Sequence, residues 1–164
     1  MPRPRLAPAL APALALALTL PLASCGGSST PAAAATSPDG GLTVAVGQNG
    51  MPRFVTPGAA AGSESEATVT AGTSVTWRFV SSGYNVISGG GSPDGGSPDG
   101  GCVPDGGFCS PSDQNCTGAV PPQAAGSFYR RTFQAVGDYP YFSQPGCLQG
   151  MTGVVHVTVP DGGP

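Results

Sequence analysis

Glycine and proline interrupt this chain so often that no apolar stretch beyond residue 25 is long enough for an ordinary helix. With 27 glycines and 19 prolines in 164 residues, the composition alone would suggest loops. Between the interruptions, however, the β-branched and aromatic residues gather into seven short runs: 42–46 (LTVAV), 67–70 (ATVT), 74–80 (SVTWRFV), 84–88 (YNVIS), 127–134 (SFYRRTFQ), 139–142 (YPYF) and 153–159 (GVVHVTV). Gly, Pro, Ser or Asp bounds each run, as expected of strands joined by turns. In the last run Val155, Val157 and Val159 alternate with Val154, His156 and Thr158, the period of two of a half-buried strand. About seven short strands predict an all-β sandwich. Ala71-Gly72-Thr73 is expected to close a tight hairpin, and Trp77 to fill the core.

The middle of the chain has a different texture. SPDGG occurs twice within 92–101, and related PDGG units recur at 37–41, 103–107 and 159–163. Proline sets each turn and Asp-Gly completes it, so every unit is a bend. Asp94, Asp99 and Asp105 lack the alternate oxygen ligands of a calcium loop and have no long acidic ligand beside them. Residues 89–126 are therefore expected to form a long loop inserted into a domain spanning 42–160.

Two arginines precede a run of Ala, Leu and Pro from Leu6 to Leu22, which ends at Leu22-Ala23-Ser24-Cys25. That order marks a secretory leader over residues 1–24; its apolar run is short for a membrane span and is broken by Pro8, Pro12 and Pro21. Leu-Ala-Ser-Cys resembles the bacterial lipobox, which implies cleavage before Cys25 and acylation of its sulfur. Residues 25–41 then read as a flexible tether. The implied location is the bacterial cell envelope, lipid-anchored at the periplasmic face or outer membrane, with the lipid membrane as a partner. Without Arg3 and Arg5, four arginines face nine acids and no lysine, which excludes a basic nucleic-acid surface.

Beyond Cys25 stand Cys102, Cys109, Cys116 and Cys147, an even number in a chain read as exported, so two disulfides are expected. Three connectivities are open. Cys102–Cys147 with Cys109–Cys116 is favoured, because a loop poor in apolar residues gains most from being tied to distant strands. Zinc is disfavoured: no CxxC pair occurs and the single histidine, His156, lies within a strand. Asn115-Cys116-Thr117 matches a glycosylation sequon whose central residue is a disulfide cysteine on this reading.

Read from residue 42, the order of VTAGTSVTW, YNVISG, a variable loop and GDYPYFSQPGCLQGMTGVVHVTV resembles the cupredoxins, the superfamily of plastocyanin and azurin. The resemblance implies a Greek-key β-sandwich or barrel and, in its intact members, a type 1 copper ion. Such a site needs two imidazoles and a thiolate with a weak axial thioether. The first imidazole position precedes an Asn-Val or Thr-Val dipeptide, which places Tyr84 there, before Asn85-Val86. Counting back from Met151, which matches the axial ligand, the thiolate position falls on Ser143 and the second imidazole position on Gly146. His156 cannot compensate, since five extended residues from Met151 span roughly 16 Å.

The functional expectation is a plastocyanin-like lipoprotein without its copper site, in a structural, binding or accessory role toward an envelope partner. The alternative is a blue-copper electron carrier with an atypical ligand set. An enzyme is not expected, because one strand histidine and loop aspartates do not assemble a nucleophile, a base and an orienting acid. Tyr84 fills the place of the missing imidazole or joins Tyr141 and Phe142 in an aromatic surface. Arg130 and Arg131 read as ordinary strand surface.

Overall fold

A computed structural model describes residues 41–60, 65–90 and 102–160. The leader, Cys25, tether residues 26–40 and the repeats bearing Asp94 and Asp99 lie outside these residues. The described residues form nine strands: β1 (Leu42–Val46), β2 (Phe54–Val55), β3 (Glu66–Thr70), β4 (Ser74–Phe79), β5 (Ile87–Gly90), β6 (Val103–Cys109), β7 (Phe128–Thr132), β8 (Gly137–Phe142) and β9 (Thr152–Thr158). They make two sheets, one ordered β2-β1-β4-β7 and the other β3-β9-β8-β5-β6. This is the expected all-β Greek-key sandwich with a disulfide-bearing loop. Among the described residues no helix is long and apolar enough to cross a membrane.

The alternation predicted for the last run holds through β9, where Gly153, Val155 and Val157 are buried and their neighbours are not. Val44 and Val46 of β1 and Val75, Trp77 and Phe79 of β4 face Ala67, Val69, Tyr141, Val155 and Val157 across the sandwich. Trp77 is fully buried at the centre, with Tyr129 at 5.4 Å, Tyr141 at 5.2 Å and Phe108 at 5.8 Å between ring centroids. Stacked and edge-on rings at these separations each add about 1 kcal/mol beyond their burial. Tyr141 lies across Gly153, where a Cβ would stand 2.5 Å from the ring and 2.6 Å from the Ser65 carbonyl oxygen. Any larger residue in the middle of β9 would displace that ring.

Four expectations need correction. Residues 71–73 do not close a hairpin: β3 pairs in parallel with β9, whereas β4 pairs with β1 and β7, so the turn passes between sheets. Part of the expected long loop is β6, paired antiparallel with β5. The Ser88 hydroxyl helps hold it there, donating to Asp105 and accepting from the Phe108 N–H at 2.7 Å. Tyr141 and Phe142 are fully buried, so no aromatic surface forms with Tyr84. Arg131 is not free surface either. Its guanidinium lies 5.0 Å from the centre of the Phe108 ring and 2.9 Å from the Asp113 carboxylate.

Candidate functional site

Four segments meet at one end of the sandwich: 47–53, 80–86, 110–127 and the β8–β9 connection, 143–151. The sequence-predicted positions Tyr84, Ser143, Gly146 and Met151 all lie on them. Ser143 closes the last connection by donating its N–H to the Met151 carbonyl at 3.1 Å. Gly146 donates to Ser143 O at 3.0 Å and accepts from Met151 N at 3.1 Å, so these three residues form one folded-back turn. Ser143 and Met151 are both fully buried.

The turn is locked to its neighbours through Asn85, a fully buried amide next to Tyr84. Asn85 Nδ2 donates to Val120 O at 2.7 Å and to Gln144 Oε1 at 3.3 Å. Its Oδ1 accepts from Gln144 N at 2.8 Å and from Ser143 Oγ at 3.3 Å. Ser143 Oγ accepts in return from the Asn85 N–H at 3.2 Å. Gln144 extends the network to Val120 N at 3.0 Å and Gly118 O at 3.0 Å. Both donors and both lone pairs of the Asn85 amide are engaged, which is the condition for burying such a group without a large desolvation penalty. The sequence reading did not pick out Asn85 or Gln144 as partners, although Asn85 stands directly after a predicted site residue.

Gly146 shows why no side chain stands at its position. A Cβ there would lie 2.7 Å from Met151 Sδ, 2.8 Å from Met151 Cβ and 3.2 Å from Pro52 Cβ. Tyr84 is held by the 47–50 segment. Its hydroxyl donates to Gly50 O at 3.2 Å, and its ring covers Gly47, where a Cβ would stand 2.6 Å from two ring carbons. For a copper ion the group offers one buried thioether, one hydroxyl already engaged with Asn85, a phenol engaged with Gly50 and no side chain at 146. These residues do not fit a type 1 copper ion.

The four cysteines form Cys102–Cys147 and Cys109–Cys116, the connectivity favoured from the sequence. Both disulfides pack in a small second core with Ile87, Val120 and Phe142 beneath the 143–151 turn. Cys147 lies within that turn, and its sulfur is held by Cys102. His156 is remote, on the outer face of its sheet, with Nδ1 2.7 Å from Asp138 Oδ1. Among the described residues no three His, Cys, Asp or Glu side chains gather as metal ligands. Two phenols are strongly perturbed. Burial holds the Tyr141 hydroxyl well above the usual tyrosine range. Burial, followed by the adjacent Asp113 carboxylate that accepts its proton in a hydrogen bond, does the same for Tyr129.

No protein family matches the chain, and no curated protein does. Several solved structures are similar. Amicyanin from Paracoccus versutus is 20% identical, covering 80% of this chain and 94% of its own, with a TM-score of 0.45. Plastocyanin from Dryopteris crassirhizoma is also 20% identical, covering 71% and 99%, with a TM-score of 0.42. A purple cupredoxin from Nitrosopumilus maritimus is 16% identical, covering 71% and 98%, with a TM-score of 0.39. At these identities and scores the likenesses say nothing of this chain's function.

Proposed function

We propose that the chain is an envelope lipoprotein whose cupredoxin-fold domain has lost its type 1 copper site and serves a binding or accessory role. One observation carries the reading on copper: the position of the second imidazole is Gly146, and the space its side chain would need is filled by Met151 and Pro52. The Ser143 hydroxyl supports it, since a serine at the thiolate position is a hard donor here committed to Asn85. The Cys102–Cys147 disulfide supports it further by withholding the nearest sulfur from thiolate chemistry. The anchor rests on Leu22-Ala23-Ser24-Cys25 and the apolar leader before it.

Full-length protein purified from membranes with its disulfides intact tests both halves of the reading. Its intact mass is expected to show a chain beginning at Cys25 and bearing lipid. Copper(II) titration is expected to give no intense thiolate-to-copper charge-transfer band. A protein that turns blue on titration would overturn the copper-free reading, and an unlipidated chain retaining residues 1–24 would overturn the anchor.

A further inference from the structure

Beside the Met151 turn, at the edge of the sandwich, Arg53, Phe54, Ser65, Gly150 and Thr152 line a depression of about 200 Å³. It is separate from the Asn85 network, and none of its residues belongs to the four ligand positions considered above. The Phe54 ring is buried and packs edge-on against Tyr141 with 4.7 Å between centroids, so it supports the depression from the core side. The walls of the depression are polar. The Arg53 side chain is exposed and, among the described residues, has no ion-pair or hydrogen-bond partner. The hydroxyls of Ser65 and Thr152 likewise have no hydrogen-bond partner among the described residues; the Ser65 bonds run through its backbone carbonyl, which accepts from Tyr141 Oη and Val154 N. Three sets of unused donors thus surround one small cavity, in a chain where Arg131 is spent on Asp113 and Arg130 on Thr76.

We propose that this depression is a binding site for a carboxylate, held by the Arg53 guanidinium and the Ser65 and Thr152 hydroxyls. A guanidinium presents two parallel N–H groups that match a planar carboxylate, and neutral hydroxyl donors complete the oxygen shell without adding charge. A single cation balances a monoanion. Phosphate at neutral pH carries more charge, and among the described residues no second cation lines this cavity to meet it. The carboxylate can belong to a small free acid or to an acidic side chain of a protein partner; the chemistry at the guanidinium is the same.

Amide chemical shifts of the isotope-labelled full-length protein, followed while titrating acetate, inorganic phosphate and a short alanine peptide with one central glutamate, test the assignment. Acetate is expected to shift Ser65, Gly150 and Thr152 saturably. Arg53→Gln and the isosteric Thr152→Val are each expected to weaken that binding, the former by about ten-fold or more. A peptide that binds more tightly than acetate identifies a partner's side chain as the source, and a peptide that does not bind identifies a small free acid. No shift at these three amides, tighter binding of phosphate than of acetate, or either variant binding acetate as well as the wild type would each remove the site. Should Arg53→Gln fail to fold, Thr152→Val decides the matter alone. Neither measurement depends on copper or on the anchor.

Discussion

At position 146 a single hydrogen atom makes room for a methionine. The backbone there, at φ −105° and ψ −5°, is open to any residue, so glycine is required by space rather than by conformation. Gly146→Ala is expected to cost about 1–3 kcal/mol in urea unfolding, the usual penalty for overpacking a core. Because the crowded atoms belong mostly to Met151, the cost should shrink in a Met151→Ala background; fully additive penalties would show that the two side chains do not compete. By the same reasoning, introducing imidazole and thiol groups with Tyr84→His, Ser143→Cys and Gly146→His would require Met151 and Pro52 to move first. That Ser143, Gly146 and Met151 stand together was legible through the family resemblance, which places all three on the connection before the last strand. The missing room at 146 was not, since it depends on a side-chain conformation and on a proline from a different connection. Tyr84 was legible as standing at the site and illegible in its direction, which Gly47 and Gly50 set from β1's end of the chain.

Among the elements, β6 is the one with the weakest sequence signature and the most fastenings. VPDGGFC reads as a bend, and only pairing with β5, the Ser88 contacts and a disulfide at each end make it a strand. Its far end is secured again at Asp113, which accepts from Cys109 N at 3.0 Å and from the Tyr129 hydroxyl while pairing with Arg131. The turn at 71–73 shows the complementary difficulty. A turn within one sheet and a turn between two sheets use the same local residues, and the partners that separate them, β9 for β3 and β1 for β4, are remote in the chain. β2, only Phe54–Val55, lies in none of the seven runs, since two residues carry no period to read; the remaining strands overlap runs whose β-branched and aromatic residues are written locally. The two disulfides differ in loop length, with sequence separations of 45 for Cys102–Cys147 and 7 for Cys109–Cys116. In the chain-entropy account they are worth about 4 and about 2.5 kcal/mol. Replacing the first pair by alanines should therefore lower the unfolding free energy more than replacing the second, and the reverse order would show that strand anchoring, not loop closure, dominates.

For the molecule as a whole, the buried phenols set an upper limit on pH. In the unfolded chain Tyr141 ionises near pH 10, whereas in the folded core burial keeps it protonated above that. Its contribution is complete below about pH 10 and is lost as the pH rises further, by up to about 1.4 kcal/mol per pH unit, because unfolding then releases a proton. Tyr129, raised in the same direction, adds to the slope. Urea midpoints measured on both sides of pH 10 should fall on the alkaline side, and Tyr141→Phe should flatten the fall; an unchanged slope in that variant would assign the effect elsewhere. A different consequence follows from the place of β9. Among the described residues it is the last strand, yet it sits inside its sheet, paired with β3 on one side and β8 on the other. Its partners on β3 precede it by 88 residues, so contacts of very long range must form before that sheet exists. During synthesis from the N-terminus, β3 and β8 emerge with nothing to bridge them. Until β9 arrives, β3 has no partner in its sheet and one face of the sandwich stays incomplete.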